Sequence, residues 1–167
     1  LHEVLSPKVF NASQIRDIYR SLSSSQSGKR FFSTEWEVLR DREYLWIQKK
    51  DSSPLIPELI IEEIERTPSF VIPRDKHIAC LDADKLNHPL TIRKWERGDK
   101  FIPLGMNGKK KVSDYLTDKK YSLFQKENQY VVCSGEDIVW LVNERTDHRY
   151  RITDSTQRIL LIKIKKD

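Results

Sequence analysis

The sequence predicts an α+β protein dominated by strands. Beyond residue 76, short runs rich in β-branched and aromatic residues recur: "HIACLD", "LTIRKW", "YVVCS", "DIVWLV", "YRIT" and "ILLIKI". Among them one stretch, "VSDYLTDKK" (112–120), has helical spacing. The two prolines of "TPSFVIPRD" (67–75) open a change of composition. The boundary is therefore expected near residue 76, with a linking region at 1–75 and a C-terminal α+β domain at 76–167.

Residues 11–22 read as an amphipathic helix, with Ile15, Ile18, Tyr19 and Leu22 on one face. Asn11 caps it and Gln14 reaches back, while Phe10 and Ile15 are placed as a hydrophobic staple. The serines and Gly28 of "SSSQSGK" end it. "TEWEVLRDREYLWIQKK" (34–50) reads as a β-hairpin that turns near Asp41-Arg42. "SSPLIP" (52–57) is a connector. "ELIIEEIE" (58–65) is compatible with helix or strand; Pro57 and Pro68 close around it and favour a strand. In the later helix Val112, Tyr115 and Leu116 share a face, and Ser113 is the expected cap.

Composition narrows the function classes. The chain has 167 residues, 38% hydrophobic and 33% charged, enough to bury a core. No apolar run approaches the roughly 18–20 residues of a membrane span, and no secretory signal is visible. The first residue is Leu1 rather than Met, so a fragment of a longer polypeptide is expected. Cys80 and Cys133 are far apart in apolar runs and read as reduced core thiols, consistent with a cytoplasmic location. His2, His77, His88 and His148 have no metal-ligand spacing, so no metal site is expected.

The net charge of +5 has one source. Between Thr91 and Leu123 stand nine basic residues: Arg93, Lys94, Arg97, Lys100, Lys109, Lys110, Lys111, Lys119 and Lys120. Only Glu96, Asp99, Asp114 and Asp118 oppose them, and elsewhere the signs balance. A field concentrated in this way points to an anionic partner.

"PLGMNGKKKVSDYLTDKK" (103–120) invites comparison with a phosphate-binding loop. A P-loop needs G-x-x-x-x-G-K-[ST], whose hydroxyl holds magnesium. Here Gly105 and Gly108 are three apart and Lys110 replaces the hydroxyl, so the match fails. G-x-S-x-G and H-E-x-x-H are absent. Asp82 and Asp84 of "LDADKL" share a face at strand spacing; a strand end capping into a turn is the better reading than a magnesium site. No catalytic set is present.

Phosphate contact is the chemistry that remains. Lys109–Lys111 sit in a glycine-bearing loop before a helix start, and Lys119 and Lys120 end that helix. "RKWERGDK" adds Arg93, Lys94, Arg97 and Lys100, with Gly98-Asp99 as a turn. In an extended "ERTDHRYR", Arg145, Asp147, Arg149 and Arg151 share one face, with Asp147 free to brace a guanidinium. Trp95, Tyr115 and Tyr121 are candidates for base stacking, although Trp95 also reads as half-buried core. Against this stands a plain solvated loop. The coincidence of the whole net charge with one segment favours nucleic acid.

The ordered motifs over residues 78–156 resemble the C-terminal domain of bacterial tRNA(Ile)-lysidine synthetases, most closely in the style of Bacteroidetes. They are Pro89-Leu90 with Arg93, Gly98-Asp99-Lys100-Phe101, Pro103–Met106, Gly108 with Lys109–Lys111, Ser113-Asp114, Asp118 with Lys120, Ile138–Trp140, and Arg145 to Arg149. "SGKRFFSTEWEVLRDREYLWI" looks like the linking region before that domain. Lys100 departs from the family's usual arginine, which keeps the charge and loses the bidentate fork. Asn143-Glu144 stands where a glycine and an apolar residue are usual.

The resemblance implies a β-sandwich-like unit similar to one in the phenylalanyl-tRNA synthetase β-subunit. It implies an ATP-dependent ligase that adenylates the wobble cytidine of a minor isoleucine tRNA and lets free lysine displace AMP. That chemistry, with its ATP and magnesium, belongs to a domain carrying an S-G-G-x-D-S loop, which is absent from this sequence. The chain is therefore expected to be inactive alone, to need no cofactor itself, and to hold tRNA, with the last domain against the acceptor stem. Its expected tRNA contacts are Arg93, Lys94, Arg97, Lys100, Lys109, Lys110, Lys111, Lys119, Lys120, Arg145 and Arg149. Gly98, Asp99, Gly105, Gly108, Asp114 and Asp147 are expected to shape or brace the backbone. The rivals are a free-standing RNA-binding module and a dimerisation module using Trp36 and Trp46; a homodimer of the parent also stays open.

Overall fold

A computed structural model describes residues 1–50 and 55–166. Ser52–Pro54 of the expected connector lie outside the described residues. The chain divides into two compact units: Leu1–Pro54 with Ser122–Gln125, and Leu55–Tyr121 with Lys126–Asp167.

In the first unit, helix α1 (His2–Leu5) leads to α2 (Ala12–Leu22). The capping box is present: the Gln14 N–H donates to Asn11 Oδ1 at 2.9 Å, and the Asn11 N–H to Gln14 Oε1 at 3.0 Å. Ile15 and Ile18 are buried as expected, but Tyr19 and Leu22 are exposed and Ser21 is buried instead. The seam is therefore narrower than an i, i+4, i+7 stripe. Phe10 joins Leu5, Ile15, Ile18 and Val38 in the core, which places the staple. The sheet is antiparallel in the order β1 (Lys29–Phe32), β2 (Trp36–Asp41), β3 (Tyr44–Lys49). The hairpin is thus correct, and β1 is a strand that the sequence reading left inside the linking region. The turn lacks glycine, so Arg42 itself takes a φ of +54°. Trp36 packs half-buried against the core and Trp46 is also half-buried.

In the second unit, β4 (Leu59–Glu65) settles the ambiguity at 58–65 as a strand. It pairs over its whole length with β12 (Arg158–Ile164), which in turn pairs with β5 (Ala79–Asp82). The unit therefore begins near residue 55 rather than 76, because the apolar positions of β4 match a strand about a hundred residues later in the chain. A second sheet has the order β11 (Arg145–Thr146), β10 (Asp137–Leu141), β9 (Tyr130–Ser134), β6 (Leu90–Lys94). The small ladder of β7 (Lys100–Phe101) and β8 (Lys110–Lys111) precedes α3 (Val112–Asp118); α4 spans Leu123–Glu127, and its residues up to Gln125 group with the first unit.

The central runs of β9 (Val131–Cys133) and β10 (Ile138–Leu141) are apolar because they are buried on both faces. Val132 and Trp140 meet Leu81, Leu160 and Ile162 of the other sheet, forming the core of a sandwich. Val131, Cys133, Ile138 and Leu141 meet Phe101, Val112, Tyr115 and Leu116, so α3 covers the outer face. This is the strand-dominated α+β architecture expected. Asp82 caps a 3₁₀ turn (Ala83–Lys85) through the Asp84 N–H at 3.0 Å, and Asp84 pairs with Arg158. The pair thus acts as a strand end turning.

Candidate nucleic-acid interface

Two turns and one bulge build the basic surface. In Glu96–Asp99 the Asp99 N–H donates to the Glu96 carbonyl at 3.1 Å, and Gly98 carries a φ of +96° that a side chain resists. Asp99 then ties the region together. Its carboxylate accepts two bonds from Arg93, at 2.8 and 3.0 Å, and one from the Glu96 N–H at 2.8 Å. Its carbonyl accepts the Val112 N–H at 2.9 Å, where α3 begins. Burial pushes the Asp99 carboxyl up, but the Arg93 guanidinium and the Glu96 N–H outweigh it and hold the group below the usual carboxylate range.

Pro103–Met106 is the second turn, closed by the Met106 N–H on the Pro103 carbonyl at 2.9 Å, with Gly105 at φ +88°. The register shift between Ile138 and Trp140 marks the bulge. It leaves the Val139 carbonyl to accept the Asp147 N–H at 2.8 Å. Asp147 is fully buried and accepts from the Ile102 N–H at 2.8 Å, and from Arg149 Nε and a terminal guanidinium nitrogen at 3.0 Å each. The Leu104 N–H donates to the Thr146 carbonyl at 2.9 Å, and the Gly105 N–H to His148 Nδ1 at 3.1 Å. Segment 145–148 thus pins the approach to the lysine run.

Three expectations change here. Residues 148–150 form a 3₁₀ turn, so Arg145, Asp147, Arg149 and Arg151 do not line one face; Asp147 points inward. Lys110 and Lys111 form a strand rather than a loop, because Lys100 and Phe101 offer a ladder. α3 starts at Val112, so Ser113 lies inside the helix and Lys111 occupies the cap position without a side-chain bond.

The cations then sort by partner. Arg93 belongs to Asp99, and Arg149 to Asp147 and Asp137. Lys110 lies on the Phe101 side of the ladder and pairs with Asp118 at 2.5 Å. Lys94 lies over the Tyr130 ring and Lys119 over Tyr115, at 5.9 and 5.7 Å from the centroids. Arg145 reaches the Leu104 carbonyl at 3.5 Å. Arg97, Lys100, Lys109, Lys111 and Lys120 are exposed and make no ion pair among the described residues. Lys100 and Lys111 are direct cross-strand partners, so two like charges face each other on an open surface, and the exposed Lys109 immediately precedes the strand. Such a pair is destabilising until an anion sits between.

Asp114 is exposed in the first turn of α3, where its charge suits the helix end. Gly108 has open space and no positive φ, so its backbone does not require glycine. Asn143 takes φ +60°, a conformation asparagine tolerates, so the chain turns there without glycine. Glu144 accepts the Tyr121 hydroxyl and lies 3.7 Å from Lys76. Burial and that carboxylate push the Tyr121 hydroxyl far up. Trp95 donates its Nε1–H to the Lys126 carbonyl at 2.5 Å, and Tyr115 is buried. These three rings are occupied by the fold and are poor stacking platforms. Asp137 was not foreseen; it accepts the Tyr150 hydroxyl at 2.6 Å as well as Arg149, and nothing local in the sequence signals it.

Among the described residues no helix is long and apolar enough to cross a membrane, and no cluster of three or more metal-ligating side chains occurs.

Residues 1–50 match a family model described as "TilS substrate binding domain". The chain is 54% identical over 98% of its length to a tRNA(Ile)-lysidine synthase of Bacteroides thetaiotaomicron, covering 39% of that protein. It is 42% identical over 97% of its length to the enzyme of that name from Parabacteroides distasonis, covering 40% of it. It thus spans about two-fifths of the length of these curated relatives. A solved structure described as "Crystal structure of TILS C-terminal domain" matches at TM-score 0.55 and 19% identity, over 64% of this chain and 82% of that one, which supports the fold.

Proposed function

We propose, for a chain whose matches support a C-terminal fragment of a tRNA(Ile)-lysidine synthase, that it is the tRNA-holding part of that ligase. The uncompensated Lys100–Lys111 cross-strand pair, with the exposed Lys109 just before the strand, carries the reading. RNA phosphates are the anion it suits, and the arrangement offers point charges rather than base-edge readers. Arg97, Lys94, Lys119, Lys120 and Arg145 extend the surface, whereas Arg93, Lys110 and Arg149 stabilise it from within. The acceptor stem is the part of the tRNA assigned to this surface.

The parent enzyme, on this reading, uses ATP and lysine to make lysidine in the cytoplasm. This chain has no S-G-G-x-D-S loop, and its Gly105–Gly108 spacing does not fit a P-loop. No ATP or magnesium step is assigned to its residues. Its contribution is remote binding energy that orients the RNA for chemistry elsewhere in the protein.

The description of the model matched by residues 1–50 favours a second contribution from the first unit. There Phe32 is half exposed with Lys50 Nζ 5.3 Å from its ring centroid, a cation beside an open ring.

Equilibrium binding of isoleucine tRNA to this chain at increasing salt tests the proposal. Affinity should fall steeply and linearly on a double-logarithmic plot. Absence of binding at low salt would refute it.

A further inference from the structure

The geometry points to a pocket for one unstacked nucleotide of the bound RNA, beside the lysine ladder in the second unit; this rests on the tRNA-holding reading above. A cleft of about 380 Å³ opens there, within the size range of small-ligand sites. Trp140 and Cys80 line it together with two aliphatic side chains left unusually open, Leu104 (42% exposed) and Ile72 (48% exposed). Arg74 and Arg145 also line it.

The acids in the cleft are already occupied. Asp75 accepts from His77 Nδ1 at 2.8 Å, and Glu144 accepts the Tyr121 hydroxyl with Lys76 at 3.7 Å. Arg74 makes no ion pair among the described residues, and Arg145 makes only a long bond to the Leu104 carbonyl. Their charge is available to an incoming anion. Aliphatic walls with a cationic rim suit a flat base carrying a phosphate, and the base's π-face needs no specific hydrogen bond.

Continuity with the ladder supports the same occupant. Leu104 is in the Pro103–Met106 turn that leads into Lys109–Lys111, and Arg145 stands two residues before Asp147, which pins that turn's approach. Leu104 stands four residues after Lys100 and five before Lys109 in the chain, which places the cleft next to the segment that carries the lysines.

The test combines two measurements on the 167-residue chain. AMP is titrated while the Trp140 indole N–H is followed by NMR, with inorganic phosphate as control. tRNA affinity is measured for the double variant Leu104→Ala, Ile72→Ala. Both side chains are half exposed and neither bears charge, so the fold and the salt dependence should persist. Expected are a saturable shift with AMP and not with phosphate, lost in the double variant. tRNA affinity should drop roughly 5- to 100-fold at constant salt slope, the range expected when two half-exposed aliphatic walls are truncated.

Unchanged tRNA affinity in the double variant overturns the inference. If AMP still shifts the indole in that case, the site belongs to a free mononucleotide rather than to RNA. Failure of the underlying reading looks different: replacing Lys100, Lys109 and Lys111 by alanine would then leave the salt slope of tRNA binding unchanged.

Discussion

Replacing Lys100, Lys109 and Lys111 together by alanine isolates the phosphate surface. All three are exposed and free of ion pairs among the described residues, so their loss removes no contact that holds the fold. Each phosphate contact contributes about 0.7–0.9 to the slope of log affinity against log salt, so the triple variant should lose roughly 2–3 of that slope. Between about 50 and 200 mM salt the advantage of the wild type should therefore shrink roughly 20- to 40-fold. Fluorescence anisotropy with labelled tRNA across that range reads both numbers. Lys110→Ala is the internal control. Lys110 is held by Asp118 and lies over the Tyr115 ring at 6.0 Å, so its removal should leave the slope nearly unaltered. Equal effects from Lys110 and from one of the other three would refute the sorting of the cations by partner.

The bracing residues give two further predictions. Asp147→Ala leaves Arg149 and the Ile102 N–H without their buried acceptor, so it should destabilise the second unit by about 3–5 kcal/mol in urea unfolding; a loss below about 1 kcal/mol would contradict the role. Asp99→Asn should show its effect through pH. The folded-state pKa of Asp99 is depressed, so its contribution is present above the unfolded value of about 3.9 and lost as pH falls through the folded value. Wild type and variant should therefore differ in stability near neutral pH and converge in acid; a difference constant with pH would count against the Arg93–Asp99 pair.

Local signals were legible, and long-range pairings were not. Asn11 and Gln14 cap α2 as their spacing implies, and Val112, Tyr115 and Leu116 bury one helical face. The β-branched and aromatic content of "YVVCS" and "DIVWLV" marked β9 and β10 as strands. The partner of Leu59–Glu65 was invisible, because its register with Arg158–Ile164 is decided across the chain. That displaced the boundary by some twenty residues. The basic segment was legible as a total charge, but its division was not. Whether a lysine is free depends on Asp118 beside Lys110 or Phe101 opposite it, and composition records neither. Asp147 holds the Arg149 guanidinium from a buried position rather than from a shared outer face. The extended alternation failed at a 3₁₀ turn, which the Val139 bulge and buried carboxylate impose.

The central claim concerns which lysines touch RNA. Amine-reactive labelling of the chain with and without isoleucine tRNA, read by mass spectrometry, addresses it directly. Protection should centre on Lys100, Lys109 and Lys111, while Lys163 and Lys165 of the β12 region label as in the free chain. Uniform labelling, or protection confined to Lys29, Lys49 and Lys50 of the first unit, would contradict it.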